Sequence, residues 1–388
     1  MDNKRLLVGT FSVGHNQYYL DLACQLGNSF NIDHFSLTES DINLDNRTIN
    51  GRFWDSNKSE FVNKNVNFQD IDILDHLPNT GLKVPSLVVL RNEVICTPQN
   101  YFKNKVTTNL LLEKAGCGDY LIETFNLRDI EYIDAILAKY HTIILKPYND
   151  GGGKGIFSLK KEGFVDYLLT QGNGNEQKKI SKAEYLKLAQ ELCEKDYIFQ
   201  PLINFQTNDG SPCDCRLHMN KGKNGNWNFI AMCLRVGSKT GVVANVSQGG
   251  YFITGLHSLH LGGFINFFRE NLQKSNAEQI INDIMALAQD VAKKLQKVCK
   301  YEIGQLGFDI GFDRNSDKLY VIEISGFPAV AMFAVPDLLY KKFEYWHYLV
   351  ENRDKILAKQ RRFYERRYPT TAEILSQYPP TTTRKETT

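Results

Sequence analysis

Residues 143–159 read Ile143-Ile144-Leu145-Lys146-Pro147-Tyr148-Asn149-Asp150-Gly151-Gly152-Gly153-Lys154-Gly155-Ile156-Phe157-Ser158-Leu159, and this stretch decides the fold. Its two apolar ends predict a pair of antiparallel strands, the first of which ends at Lys146. The loop between them is rich in glycine and contains Gly151, Gly152, Gly153 and Gly155. Because glycine has no Cβ, the backbone N–H groups of such a loop can approach an anion closely. Glycines alone also suit a flexible hairpin tip, but Lys146 and Lys154 favour a site for nucleotide phosphates.

Two familiar phosphate loops do not fit this stretch. A P-loop requires a lysine followed by Ser or Thr at the start of a helix, whereas Lys154 is followed by Gly155 and a predicted strand. The dinucleotide fingerprint G-x-G-x-x-G fails because Ser158 stands where its third glycine belongs. The loop is therefore better described as a glycine flap between two strands, with a lysine at the end of the first strand.

Composition and charge limit the classes of protein to which the chain can belong. The chain of 388 residues is 42% apolar and 23% charged, which is ordinary for a globular protein with room for two or three domains. A net charge of +2 argues against nucleic acid as the main partner. No apolar run is long enough to span a membrane, and no segment resembles a signal peptide. Eight cysteines without a C-x-x-C motif favour reduced thiols, so we expect a cytoplasmic protein.

The predicted elements divide the chain into four parts of mixed α/β (α+β) character. Residues 1–100 predict a small open sheet covered by helices, which either contacts substrate or serves only as a structural base. Within this part, Ser86–Leu90 predicts a short buried strand. The other parts are residues 101–200 with the glycine flap, residues 201–350 with further strands, and residues 351–388 with a basic helix end and a polar tail. In the second part, Gly172-Asn173-Gly174 indicates a surface loop.

The C-terminal region begins with a long helix that Pro336 starts. Its later turns carry lysines and arginines, which form either a solvated face or a surface for an anionic partner. The last twenty residues are polar and rich in Pro and Thr, which predicts a disordered or loosely docked tail. Tyr368-Pro369-Thr370-Thr371 is echoed by Tyr378-Pro379-Pro380-Thr381-Thr382, so occupation of a peptide groove by the tail is a further option.

Asp309 and Glu323 form the strongest candidate metal site. They lie on two predicted strands, Gln305–Phe312 and Lys318–Ser325, which a short turn joins into an antiparallel pair. Two carboxylates that converge from neighbouring strands are unfavourable unless a cation neutralises them. Proteins bind Mg²⁺ with one or two carboxylates together with nucleotide phosphates and water. The pair therefore predicts a Mg²⁺ site.

The predicted strand that begins at Cys213 has two different faces. Alternation places Cys213 and Cys215 on one face and Asp214, Arg216 and His218 on the other. The two thiols and the imidazole therefore do not converge, which disfavours a zinc site in this C-x-C segment.

Several motifs follow one another along the chain. They are Lys105 before a helix, Lys146 at the end of a strand, the flap Gly151–Gly155, the strand Tyr197–Ile203, Asp214-Cys215-Arg216, Arg235-Val236-Gly237, Asn245-Val246-Ser247-Gln248-Gly249-Gly250, Gly307-Phe308-Asp309 and Glu323-Ile324-Ser325-Gly326-Phe327-Pro328. In this order they resemble the ATP-grasp superfamily, nearest to its spore-coat-associated YheC/YheD-like branch, and are similar to ribosomal S6-type glutamate ligases. The resemblance covers residues 80–330 well. It implies an ATP-grasp fold, in which an N-terminal pre-ATP-grasp α/β domain precedes two α+β subdomains that clamp ATP.

The resemblance implies how the nucleotide is bound. Lys105 and Lys146 would hold the α- and β-phosphates. The flap, which would close over the β- and γ-phosphates, consists of Gly151, Gly152, Gly153, Lys154 and Gly155. The segment from Gln200 to Ile203 would be the hinge that reads adenine. There the Pro201 carbonyl would accept a hydrogen bond, the Ile203 N–H would donate one, and Asp214 would lie near the ribose.

The resemblance also implies a reaction centre. Arg216 and Arg235 would face the γ-phosphate and an acyl phosphate, with Asn245 nearby. The carboxylate pair described above would bind one or two Mg²⁺ ions. The family usually has Asn two residues after the metal-binding Glu, whereas this chain has Ser325, whose hydroxyl is shorter and a poorer neutral ligand.

The activity implied is that of an ADP-producing carboxylate–amine ligase, which forms an amide or peptide bond through an acyl phosphate. Its substrate would be an amino acid or a peptide, in a natural-product or peptide-modification pathway, with neither nucleic acid nor a membrane as partner. His218 and His257 are the candidates for a general base. The alternatives are an ATP-dependent phosphotransferase and a nucleotide-binding, regulatory protein without catalysis. The oligomeric state stays open, with a homodimer among the options.

Overall fold

A computed structural model of the chain describes residues 5–12, 17–76, 84–97, 102, 104–126, 130–149, 153–163, 166–172, 174, 176–246, 249–256, 262–326, 328, 334–367 and 371–378. The strands in these ranges form three sheets. Every helix in the same ranges is too short or too polar to cross a membrane.

The first sheet is mixed and comes from the N-terminal part of the chain. Its strand order is β3-β4-β2-β1-β6-β7, with β5 paired to β4. Strand β1 runs parallel to β2 and β6, and β6 runs parallel to β7, whereas β4 is antiparallel to its neighbours. The elements are β1 (Leu6–Phe11), α1 (Gln17–Gly27), β2 (Ile32–Leu37), β3 (Ile42–Asn43), β4 (Thr48–Asp55), β5 (Glu60–Asn67), β6 (Ile73–Asp75), α2 (Pro85–Glu93) and β7 (Ile95–Thr97).

The segment Ser86–Leu90, predicted as a strand, is part of helix α2, so that prediction was wrong. Pro85 occupies the first turn of this helix, where its missing N–H costs no hydrogen bond. The residues from Leu87 to Leu90 are all buried. A short run that is buried on every side carries no amphipathic period, and therefore does not distinguish a helix from a strand.

The second sheet is antiparallel and carries the glycine flap. Its strand order is β12-β11-β10-β9-β13-β8. The predicted pair on either side of the flap is confirmed, because Leu145 of β9 lies opposite Phe157 of β10. Helices α4 and α5 share one buried core with the sheet. The elements are β8 (Phe125–Asn126), α4 (Ile130–Tyr140), β9 (Thr142–Pro147), β10 (Phe157–Glu162), β11 (Asp166–Gln171), β12 (Gln177–Ser181), α5 (Lys182–Cys193) and β13 (Tyr197–Pro201).

The third sheet is also antiparallel, with strand order β16-β15-β14-β17-β18. Helices α3, α6 and α7 cover one face and build a common core with it. Cys213 and Cys215 lie in this core, as the alternation predicted. The elements are α3 (Lys105–Lys114), β14 (Cys213–Lys221), β15 (Trp227–Val236), β16 (Tyr251–Leu256), α6 (Gly262–Asn271), α7 (Ala277–Val298), β17 (Gln305–Phe312) and β18 (Leu319–Ser325).

The C-terminal helices return to the first sheet. They are α8 (Val335–Glu351), α9 (Arg353–Arg367) and α10 (Thr371–Gln377). Trp346 of α8 shares a core with Val8 of β1 and Ala231 of β15, so this helix joins the first sheet to the third. The single long helix predicted from Pro336 is interrupted at Asn352, whose side-chain amide donates a hydrogen bond to the Tyr348 carbonyl at 2.9 Å.

The tail and the basic helix make internal contacts. Leu375 and Tyr378 pack against the core of the first sheet, so residues 371–378 are docked and ordered, whereas residues 379–388 lie outside the described ranges. In α9, the Arg361 Nε donates a hydrogen bond to the Asn92 carbonyl at 2.7 Å. Part of the basic surface is therefore used within the molecule.

Candidate active site

A cavity of about 560 Å³ lies between the second and third sheets. The second sheet contributes the ends of β9 and β13, and the third sheet contributes β14, β15, β17 and β18. The residues that were predicted from the sequence and line this cavity are Lys146, Gly153, Gln200, Pro201, Ile203, Asp214, Arg216, Arg235, Asn245, Asp309, Glu323 and Ser325. Lys146 from one sheet and the carboxylate pair from the other therefore share one cleft.

The remaining predicted residues lie beside the cavity or outside the described ranges. Lys105 does not line the wall, but its Nζ lies 3.8 Å from the Oε1 atom of Glu323. Lys154 and Gly155 are exposed and do not line the wall. Gly151 and Gly152 fall outside the described residues. The contact of the whole flap with phosphate therefore stays a prediction.

Gly155 fixes the described end of the flap. Its φ of +67° lies in the left-handed region that favours glycine. The Tyr197 hydroxyl donates a hydrogen bond to the Gly155 carbonyl at 2.9 Å. The left-handed backbone therefore favours glycine, and a Cβ added at Gly155 would lie 2.7 Å from that hydroxyl oxygen and displace it.

Lys146 is the buried cation that the second sheet contributes. Only 6% of its surface is exposed. Burial and the nearby charge of Lys105 lower the pKa of Lys146 to about 8, although Glu323 and Asp309 act in the opposite direction. An ammonium group that has lost much of its hydration gains strongly from a polyanionic ligand.

The hinge candidate begins at the end of β13. Gln200 and Pro201 pair with β9, whereas β8 pairs with β13 only as far as Phe199. Within the described residues, the backbone beyond Phe199 is thus paired on one side only, a position that tolerates the proline at 201. The Gln200 side-chain amide donates a hydrogen bond to the Thr124 hydroxyl at 2.7 Å, which fixes this side chain at the cavity wall.

The third sheet presents its charged residues in rows across neighbouring strands. Arg216 lies opposite Asp309, and Asp309 lies opposite Glu323. One row away, Asp214 lies opposite Arg235. Directly opposed residues of antiparallel strands place their side chains on the same face of a sheet. The pairing predicted for Asp309 and Glu323 is therefore confirmed, and both arginines belong to the same surface.

Two arginines and two carboxylates form an ion-pair cluster on this surface, in which Asp309 is buried and the other three side chains are 10–21% exposed. Arg216 pairs with Asp309, with its Nη2 2.9 Å from Oδ2. Arg235 donates two hydrogen bonds of 2.6 Å each to Asp214, and its Nη2 also lies 2.9 Å from Asp309 Oδ2. Burial raises the pKa of Asp309, but the two guanidinium groups outweigh it and hold that pKa at about 2. Asp309 therefore stays ionised at any physiological pH.

The oxygen atoms of the cavity wall fit a magnesium ion. Asp309, Glu323 and Ser325 offer the hard ligands that Mg²⁺ prefers. Within the described ranges, no group of three or more His, Cys, Asp or Glu residues is arranged to hold a metal. Mg²⁺ commonly takes only one or two protein carboxylates and completes its shell with phosphate and water. Both oxygens of Asp309 contact guanidinium groups, so a cation that binds there shares this carboxylate with Arg216 and Arg235.

His218, one of the two candidates for a general base, does not line the cavity. It is buried, and burial together with Arg216 lowers the pKa of His218 to about 3, so the imidazole is neutral. Its Nδ1 atom has no hydrogen-bond partner among the described residues. The other candidate, His257, lies outside those residues.

A strap that the sequence patterns did not predict closes one side of the cavity. We define the strap as residues 238–246, between β15 and β16. The N–H groups of Val242 and Val243 donate hydrogen bonds to the Gly172 carbonyl at 2.9 and 3.2 Å, and Val242 through Asn245 line the cavity. The strap therefore joins the third sheet to the end of β11. The signal in the sequence was the pair Gly172 and Gly174, which we interpreted as a surface loop.

Comparison with known proteins identifies the family. Residues 95–350 match the family described as YheC/D like ATP-grasp. Over 333 residues the chain is 26% identical to the endospore coat-associated protein YheD of Bacillus subtilis (strain 168), a match that covers 80% of this chain and 69% of that protein. Over 223 residues it is 28% identical to the endospore coat-associated protein YheC of the same organism, with 56% of this chain and 57% of that protein covered.

A solved structure shows the same fold. It is the Chryseobacterium gregarium RiPP-associated ATP-grasp ligase in complex with ADP and a leader and core peptide. The TM-score is 0.50 at 10% sequence identity, with 90% of this chain and 97% of that chain covered. The family match spans more than half of the sequence. The chain therefore has the ATP-grasp fold and belongs to the YheC/D-like ATP-grasp family.

Proposed function

We propose that the chain is an ATP-dependent carboxylate–amine ligase that forms an amide bond through an acyl phosphate. The observation that carries this proposal is the single cavity lined by Lys146 from the second sheet and by Arg216, Arg235, Asp309 and Glu323 from the third. Buried cations opposite a carboxylate pair suit a nucleoside triphosphate with Mg²⁺. Membership of an ATP-grasp family supports ATP as the nucleotide.

Residues of both the second and the third sheet would contact the nucleotide. Lys105, Lys146 and the flap would bind the phosphates, the segment 200–203 would contact adenine, and Asp214 would lie near the ribose. We also propose that residues 1–100 form the pre-ATP-grasp domain, residues 101–200 the small subdomain with the flap, and residues 201–350 the C-terminal subdomain. Residues 351–388 would complete the chain as its C-terminal helices and tail.

The chemistry would proceed in two steps. An oxygen of the substrate carboxylate attacks the γ-phosphorus, and the bond from that phosphorus to the β-γ bridging oxygen breaks, which releases ADP and leaves an acyl phosphate. Arg216 and Arg235 would neutralise charge on the transferring phosphoryl group, with Asn245 near the acyl phosphate. Mg²⁺ held by Asp309 and Glu323 would supply further charge neutralisation. An amine then attacks the acyl carbon, phosphate leaves, and the amine proton passes to a base or to water.

Hydroxylamine can trap the acyl phosphate without knowledge of the amine acceptor. The chain would be incubated with ATP, MgCl₂, hydroxylamine and pooled amino acids and peptides, and the products identified by mass spectrometry. We expect ADP and phosphate in equal amounts, balanced by the sum of the hydroxamate and any amide formed with the pooled amines. Formation of ADP with a phosphorylated hydroxyl group would instead identify a phosphotransferase.

A nucleotide-binding protein without ligase activity is the second candidate, and Ser325 is the observation that favours it. Ser325 lines the cavity next to the carboxylate pair and lies opposite Gly307. We expect Ser325→Asn to raise Mg²⁺-dependent ATP turnover by roughly three- to tenfold, because an amide oxygen reaches farther and binds Mg²⁺ better than a hydroxyl group. The measurement is the turnover rate as a function of Mg²⁺ concentration. ATP binding without turnover in either form would support the second candidate.

The strap gives a further test of nucleotide binding. Gly174 has a φ of +77°, and a Cβ added there would lie 2.2 Å from the carbonyl carbon of Thr240 in the strap. We expect Gly174→Ala to displace the strap and to weaken ATP binding on the order of tenfold, measured by isothermal titration calorimetry. The matched control is Gly163→Ala, where φ is +73° but no atom lies within 4 Å of the added Cβ. Equal ATP affinities in the two variants would contradict a role for the strap.

We also propose a cellular compartment and a class of substrate. All eight cysteines are free thiols, which supports a reducing compartment such as the cytoplasm. The substrates would be amino acids or peptides in a peptide-modification or natural-product pathway. The nucleotide and the substrate carboxylate would both bind in the cavity between the second and third sheets.

A further inference from the structure

An apolar surface adjoins the cavity at the edge of the third sheet. Val246, Tyr251 and Phe252 are exposed by 39%, 57% and 49% respectively. We call these three residues the apolar edge. The other exposed large apolar residues among the described ranges are single residues on four different helices, namely Tyr18, Leu110, Leu186 and Tyr340. Exposed large apolar residues beside a cleft typically mark a binding surface.

A tight loop brings the apolar edge to the mouth of the cavity. Gly249 N–H donates a hydrogen bond to the Val246 carbonyl at 3.2 Å, and Gly250 N–H donates one to the Asn245 carbonyl at 3.3 Å. A Cβ added at Gly250 would lie 2.6 Å from the Val236 carbonyl oxygen, so the loop packs directly on β15. Because Asn245 lines the cavity, the apolar edge continues the cavity wall outward.

The two aromatic residues lie on opposite faces of β16. Phe252 is opposite Arg235, so its side chain lies on the same face as the ion-pair cluster. Tyr251 is opposite Val236, which is buried in the core on the other face. Within the described residues, β16 is an edge strand that pairs with β15 alone. A strand added at this edge would place alternate side chains beside Phe252 and beside Tyr251.

We infer that the apolar edge binds an extended peptide whose large apolar side chains contact Phe252 and Tyr251 and whose carboxylate reaches the adjoining cavity. The inference rests on the proposed ligase function and names its carboxylate substrate. A peptide fits better than a fatty acyl chain, because only a peptide has backbone groups that can pair with an edge strand. The Arg235 guanidinium contacts Asp214 of β14 and Asp309 of β17, away from β16, so the carboxylate of such a peptide would extend past Asn245 into the cavity.

The test uses the hydroxamate assay with two peptides, acetyl-Phe-Leu-Glu and acetyl-Gly-Gly-Glu. Each carries a C-terminal and a side-chain carboxylate, so the comparison isolates the apolar side chains. We expect the wild-type protein to prefer the apolar peptide in kcat/KM. We expect Phe252→Ala to raise the KM for the apolar peptide by at least about tenfold, with kcat, the KM for ATP and the melting temperature nearly unchanged. The control is Leu186→Ala on α5, whose side chain is also exposed.

The possible outcomes separate this inference from the proposed ligase function. Hydroxamate formation at equal kcat/KM for both peptides, or a KM that Phe252→Ala does not change, would overturn the inference and leave the ligase proposal intact.

Absence of hydroxamate from every carboxylate would contradict the ligase proposal. The inference would then be decided by fluorescence anisotropy of labelled acetyl-Phe-Leu-Glu in the presence of a non-hydrolysable ATP analogue. Peptide binding that Phe252→Ala weakens would support it. A dimer that Phe252→Glu dissociates, without peptide binding, would assign the surface to a second copy of the chain and overturn it.

Discussion

Replacement of Lys146 by methionine is expected to weaken ATP binding by roughly 10- to 150-fold, which corresponds to the loss of a charged hydrogen bond. Methionine has nearly the same length and flexibility, so it fills the space without the charge. Because burial makes the ammonium group unfavourable in the folded protein, the melting temperature of Lys146→Met should equal or exceed that of the wild type. Isothermal titration calorimetry and thermal unfolding provide the two measurements.

The pH dependence of ATP binding gives the same residue a second, independent test. The pKa of Lys146 is lowered to about 8, and triphosphate favours the protonated form. Affinity should therefore change little between about pH 7 and 8, where the terminal phosphate of ATP is ionised, and should fall by up to about tenfold per pH unit above pH 8, until the pKa of the bound state is reached. Lys146→Arg, which stays protonated, should remove this fall, and so should Lys146→Met.

The matched control for these experiments is Lys160→Met. Lys160 lies on β10 in the same hairpin, opposite Thr142, and its side chain is exposed. Its replacement removes one positive charge from the same sheet, but not from the cavity. ATP affinity that falls equally in Lys146→Met and Lys160→Met would show that only the net charge of the sheet matters, and would contradict a specific role for Lys146.

The residues that the sequence located well are those whose neighbours lie close along the chain. Lys146 is fixed by a strand that ends at a glycine loop, and Asp309 and Glu323 are fixed by two strands that a short turn joins. In the hairpin of Lys146 the register is regular. In the pair β17–β18, turn length alone would place Asp309 opposite Ile322, and a β-bulge between Asp309 and Ile310 brings it opposite Glu323. Local patterns were therefore enough to predict that the two strands pair, whereas the exact register depends on the bulge.

The features that the sequence did not reveal depend on contacts between distant segments. The contact of Arg216 with Asp309 is set by the order of strands in the third sheet, because it forms only where β17 inserts beside β14. The contact of the strap with Gly172 joins two different sheets. No local pattern of residues carries such information. Helix α2 was predicted wrongly for a different reason. Its residues are buried on every side, so the sequence lacks the alternation of apolar and polar residues that identifies a helix.

Asp309 provides the sharpest test of the metal site, because it serves the ion-pair cluster and the carboxylate pair at the same time. Asp309→Asn leaves Arg216 without the carboxylate to which it donates two hydrogen bonds. Removal of one partner from a buried ion pair costs about 3–5 kcal/mol, so we expect a lower melting temperature. We also expect Mg²⁺-dependent ATP turnover to fall by about 100-fold or more, with a marked rise in the Mg²⁺ concentration for half-maximal activity.

Asp214→Asn is the control that separates stability from metal binding. It removes one negative charge from the same ion-pair cluster and leaves Arg235 with only Asp309, so a comparable loss of stability is expected. Asp214, however, lies opposite Arg235 and not opposite Glu323, so the Mg²⁺ concentration for half-maximal turnover should stay at the wild-type value. An unchanged Mg²⁺ requirement in Asp309→Asn would exclude Asp309 as a metal ligand. The acidic side chain would then act only as the anion that holds the two arginines in place.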